Sequence, residues 1–174
     1  MLELKLKRLK GNKSVTHGVL TIPQYDFRCR TLELADGSDM LYKNGCCVDK
    51  GTYVLRQTVA ENSYFMPIFK KKPKGFAKNP QIVFAGLNYL HLATGNIGLG
   101  VDPQEDFSIG ESTVLKEKAL EIFSNCFRNR EMMVLNIEVS KNFQYSDLGY
   151  YDVQKQHEED LDFIEGFDED EEEV

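Results

Sequence analysis

The sequence has no apolar run approaching the ~20 residues that a membrane-crossing helix needs. Nor does it show a secretory core, since leucine alternates with lysine from Met1 to Lys13 instead of running apolar. Cysteine is sparse. The four present, Cys29, Cys46, Cys47 and Cys126, follow no zinc or thioredoxin-like spacing. Cys46 and Cys47 are adjacent, which strains any mutual disulfide. A reduced, cytoplasmic folding environment is the plain reading. Two ligand motifs are missing as well. The stretch Gly95-Asn96-Ile97-Gly98-Leu99-Gly100 lacks the strand–turn–helix order and the lysine of a phosphate loop. Asp102, Glu105, Asp106 and Glu111 lack the alternating oxygen ligands of an EF-hand, and a solvated acidic loop is the simpler account of them. No metal and no cofactor is expected.

What is present is 174 residues with 41% hydrophobic content, enough for one domain with a real core. Charge is unevenly spread. Residues 1–140 hold 19 Lys/Arg and 15 Asp/Glu, whereas residues 141–174 hold 2 and 13. A mildly basic body of +4 therefore carries a tail of −11. The division predicts a β-rich globular domain over 1–140 and an acidic, aromatic-containing tail over 141–174.

Periodicity fills in the body. Leu2, Leu4 and Leu6 alternate with Glu3, Lys5 and Lys7, a half-buried strand, and Lys10 to Ser14 reads as a turn. Further strands are predicted at Val19–Ile22, Phe27–Leu34, Thr52–Val59, Phe65–Phe69, Ile82–Phe84, Tyr89–Leu92 and Met132–Val139. Asp36 to Gly45 reads as a polar loop, and Gly95 to Pro103 as a glycine-rich one. One helix is legible from Thr113 to Asn129, with Leu115, Ala119, Ile122, Phe123 and Cys126, joined by Phe127, on one face and Ser112 as N-cap. The fold expected is mixed β with one main helix (α+β), a small barrel-like or curved antiparallel sheet.

Two stretches suggest contacts with other molecules. Lys70-Lys71-Lys72-Pro73-Lys74, with Lys78, could meet phosphates, and Phe69 and Phe76 beside it could stack on bases. Lysine-rich loops are more often solvated, and a net charge of −7 argues against nucleic acid. The tail sets Tyr150, Tyr151, Leu161, Phe163, Ile164 and Phe167 among acids. Such acidic–hydrophobic alternation suits docking on a basic, grooved protein partner, in a homo- or hetero-oligomeric assembly. A plain solubilising tail is the competing account.

His91, between Leu90 and Leu92 and just before Gly95-Asn96, is a candidate site residue, with Asp106 beyond the following loop. Here the chain resembles a known domain. Leu90-His91-Leu92-x-x-Gly95-Asn96 and Ile109-Gly110, with Gly18-Val19-Leu20, Cys29-Arg30-Thr31-Leu32-Glu33, Gly51-Thr52-Tyr53 and Tyr64-x-x-Pro67, resemble an uncharacterised small domain of bacteria and their phages. The resemblance spans about residues 2–139 and implies synthesis in a bacterial host, with a place in a phage particle. More loosely, the family's His-x-Gly-Asn and Gly-Cys-Ile motifs are similar to the site of L,D-transpeptidases, where His activates a Cys nucleophile. Asp106 stands here at the position of that Cys, and no cysteine lies between Cys47 and Cys126. A carboxylate does not replace a thiolate in acyl transfer. The resemblance therefore implies a non-catalytic structural or interaction protein, such as a virion or assembly component. A peptidoglycan-active or peptidoglycan-binding relative is the alternative.

Overall fold

The structure, a computed structural model, describes residues 1–35, 47–59, 65–76, 78–84, 95–102, 107–149 and 155. Among the described residues the strands are β1 (Leu2–Gly11), β2 (Val15–Ile22), β3 (Phe27–Leu34), β4 (Gly51–Val59), β5 (Phe65–Phe69), β6 (Ile82–Phe84), β7 (Ile97–Gly100) and β8 (Met133–Tyr145). The helix α1 (Thr113–Arg128) precedes β8. All the strands belong to one sheet, in the order β5-β4-β8-β1-β2-β3-β7-β6. Its two edges come back together. Ile68 of β5 bridges Gln81, and the Phe69 amide donates to the Pro80 carbonyl at 3.4 Å. The result is a nearly closed barrel, which leaves little free edge for pairing with other chains.

The sheet is not all antiparallel, as the sequence reading had it. β1 runs parallel to β8, and β6 parallel to β7. The first of these joins the two ends of the sequence: β8 starts beside the start of β1, with Met133 opposite Leu2, and runs alongside it. The stretch Ile97–Gly100, expected as loop, is a strand, because Ile97 and Leu99 alternate into the core and are fully buried. β1 continues through the expected turn to Gly11, so the tight turn is only Asn12–Ser14. There the Asn12 side-chain oxygen accepts from the amides of Ser14 and Val15 at 2.8 and 2.9 Å. The strand expected to end at Val139 continues to Tyr145. The predicted strand Tyr89–Leu92 and the loop Asp36–Gly45 lie outside the described residues.

Period-two alternation fills the barrel. Leu2, Leu4 and Leu6 of β1, Leu20 and Ile22 of β2, Phe27 and Cys29 of β3, Leu99 of β7 and Met133, Leu135 and Ile137 of β8 form one buried cluster. Helix α1 completes it with Ala119, Ile122, Phe123 and Cys126, the stripe read from helical spacing. The Ser112 hydroxyl caps the helix, accepting from the Leu115 amide at 3.2 Å. Phe127 falls off the stripe and is 49% exposed. The Gln57 side-chain amide of β4 donates to the Phe123 carbonyl and ties the helix to the sheet. Among the described residues no helix is long and apolar enough to cross a membrane.

Candidate binding site at the polar end of the barrel

The inward rows change character along β1. Leu6 pairs with Leu20, and Leu20 with Cys29, an apolar row. One step on, Arg8 pairs with Gly18, and Gly18 with Thr31. The row after that is Gly11, Thr16 and Glu33. Arg8 thus holds the fourth inward position after three leucines, and Glu33 lies in phase with Phe27, Cys29 and Thr31. A charge in that phase needs a partner.

Each charge supplies the other's. Arg8 donates from Nε to Glu33 Oε2 at 3.0 Å and from Nη2 to Glu33 Oε1 at 2.8 Å, a fork-on-fork pair. Nη2 also donates to the Val48 carbonyl. Glu33 is fully buried and Arg8 5% exposed. Gly18 stands between their strands. A Cβ there would lie 2.7 Å from both the Lys7 carbonyl oxygen and the Thr31 hydroxyl. No larger residue fits without a shift in backbone.

β8 shapes the opening. Between Arg8 and Lys10 its register slips from Val139 to Gln144, so several extra residues arch out of the ladder. Beyond the arch, Gln144 and Tyr145 pair with Lys10 and Gly11. The Phe143 ring turns over Gly11, where an added Cβ would meet it at 2.9 Å. A cavity of about 300 Å³ results, lined by Arg8, Asn12, Thr16, Cys47, Val139, Phe143 and Tyr145. A second, of about 250 Å³, adjoins it on the outer side between Lys10, His17, Phe107, Tyr145 and Leu148.

Burial pushes the Cys29 thiol up to about 12, against a weaker opposing pull from a backbone hydrogen bond at Leu20. Burial, with Glu131 nearby, also raises the Cys126 thiol. Neither is a thiolate at neutral pH, so neither serves as a nucleophile. Among the described residues no group of three or more His, Cys, Asp or Glu could hold a metal ion. Phe69 and Phe76 are 1% and 7% exposed, so they offer no platform for nucleic-acid bases beside the lysines.

The residues singled out from sequence, His91, Asp106, Tyr150, Tyr151, Leu161, Phe163, Ile164 and Phe167, all lie outside the described residues. What the sequence reading missed is the Arg8–Glu33 pair. Its signal was there: two opposite charges, each continuing an inward alternation of apolar residues. Comparison with protein-family models, curated proteins and solved structures gives no match.

Proposed function

We propose that the protein is a non-catalytic interaction protein: the barrel is a scaffold and the acidic segment after β8 is its docking arm. The observation that carries this reading is where the arm is rooted. β8 delivers the chain to the polar end of the barrel, and the Ser146 amide donates to the Gly11 carbonyl at 2.9 Å, fixing the exit. Tyr145 and Leu148, 62% and 53% exposed, flank that point and present apolar surface just before the acids begin. The fixed root limits the orientations in which a partner can meet the arm. The partner is a basic protein surface, with Lys/Arg for the acids and a groove for Leu161, Phe163, Ile164 and Phe167. The setting, taken from the family resemblance, is a phage or phage-derived assembly.

The test is the size and composition of the native complex formed by the full chain and by a chain ending at Gly149, each first shown to unfold cooperatively. Co-assembly of the full chain alone supports the docking arm. Identical free monomers would leave the segment a solubilising tail and overturn the proposal.

A further inference from the structure

Five lysines fall within nine residues, Lys70, Lys71, Lys72, Lys74 and Lys78, with no acid among them. All five are exposed. The segment that carries them is pinned to the barrel at both ends. The Lys70 amide donates to the Val54 carbonyl at 2.9 Å, and the Asn79 side-chain amide donates to the Phe69 carbonyl at 2.6 Å. Between these points Gly75 turns the chain at φ +92, and the buried Phe76 plugs inward. Its ring packs on Gly95, where an added Cβ would come within 2.2 Å of it. Phe76 is thus an anchor, and the pinned loop carries the five exposed lysines together.

The most concentrated opposite charge is in the same molecule. Residues 156–174 carry eleven Asp/Glu and no Lys or Arg. We propose that the loop at Lys70–Lys78 is the seat of this acidic segment, which it holds within the same chain as a reversible electrostatic clamp. The inference rests on the docking-arm reading and adds its resting state: a basic partner must displace the lysine loop before it can take the arm.

Reach permits it. The stretch from Ser146 to Asp168 can span roughly 70 Å at ~3.3 Å per residue. A domain of this length has a radius of gyration of only ~16 Å. Tethering supplies an effective concentration on the order of millimolar, which free anions must outcompete. Nucleic acid is the weaker occupant, since it gains no stacking from the buried Phe69 and Phe76. Charge pairing in an exposed setting is screened, so the clamp is weak enough to open.

Zero-length carbodiimide cross-linking of the full chain at low concentration tests this, with peptides identified by mass spectrometry. At about 0.1 M salt, links should join Lys70, Lys71, Lys74 or Lys78 to acids between 158 and 173 within one chain. They should exceed links to Lys5, Lys7 and Lys118 several-fold and fall at least several-fold at about 1 M salt, where the screening length shrinks from ~10 to ~3 Å. A full chain with Lys70→Gln, Lys71→Gln, Lys74→Gln and Lys78→Gln should scatter X-rays as a more extended particle while keeping its melting temperature. Links spread evenly over all lysines, or found only between chains, would overturn the clamp. So would unchanged scattering by the folded variant. Those results leave co-assembly with a partner untouched, whereas failed co-assembly with the clamp intact sinks the docking arm alone.

Discussion

The two ends of the barrel are built from the same alternation but stabilised differently. At the apolar end Leu2, Leu4, Leu6, Ile22, Met133 and Leu135 share one cluster with Phe123 of α1, and the inward positions of β1, β2 and β8 there are hydrocarbon or sulfur. At the polar end the inward positions are Arg8, Gly18, Thr31, Thr16, Gly11 and Glu33. Burial of apolar surface contributes in proportion to area and does not require a particular neighbour. A buried ion pair is conditional: its desolvation is offset only while both members are present. One end therefore tolerates apolar side chains of similar volume. The other specifies partners, and it is where β8 arches open and the acidic arm departs. The difference places unconditional stability at one end and conditional stability at the other.

Breaking the pair gives the largest contrast. Glu33→Leu should destabilise the fold by about 3–5 kcal/mol, because it strands the Arg8 guanidinium in the interior. The double change Arg8→Met with Glu33→Leu should recover most of that loss. Leu4→Ala at the other end should cost about 2–5 kcal/mol with no such rescue by a second truncation. Urea unfolding of the three variants beside the unaltered protein measures all three effects, and a double mutant no more stable than Glu33→Leu would show that the pair does not act as a unit. Next comes Gly18→Ala. Its methyl would press on the Lys7 carbonyl and the Thr31 hydroxyl, so a loss of about 1–3 kcal/mol is expected. Unchanged stability would mean β2 can shift away from β1 freely.

Cys29 lies in the last apolar row before the charges, and pH reads its surroundings. Its thiol is raised from 9.0 to about 12, so between those values the unfolded chain gives up a proton that the folded one keeps. Stability from this group is complete below pH 9 and falls as pH rises toward 12, by about 1.4 kcal/mol per unit. The stability gap between the protein and Cys29→Ala should therefore narrow from pH 8 to pH 10. A constant gap would place the thiol in contact with water.

How much of this was legible follows from the same contrast. Leu2-Leu4-Leu6, the helix stripe and Ser112 were readable because apolar periodicity is a local property. Arg8 was not, since a charge closing an apolar alternation reads as a strand leaving the core until its partner 25 residues away is brought beside it. Ile97–Gly100 was hidden by glycine: Gly98 and Gly100 look like loop, although Ile97 and Leu99 carry the inward phase. The parallel pairing of β1 with β8 joins strands at opposite ends of the sequence, which no short window contains. Of the polar end, Asn12 and Gly11 were legible only as a turn.

The smallest effect bears on where the barrel ends. Charge placed the boundary near residue 140, yet Gln144 and Tyr145 still pair with β1 and Phe143 covers Gly11. Deleting residues 150–174 removes none of these contacts, so stability should change by no more than about 0.5 kcal/mol. Deleting residues 142–174 also strips the Phe143 wall and the last ladder pairs, and should lower the melting temperature further. The gap between the two truncations measures what the arch of β8 contributes to the polar end. If both cuts leave the melting temperature alone, the arch serves only to aim the arm. Should the shorter deletion already destabilise the fold, the acidic segment is part of the barrel's own packing and the separation of scaffold from arm fails.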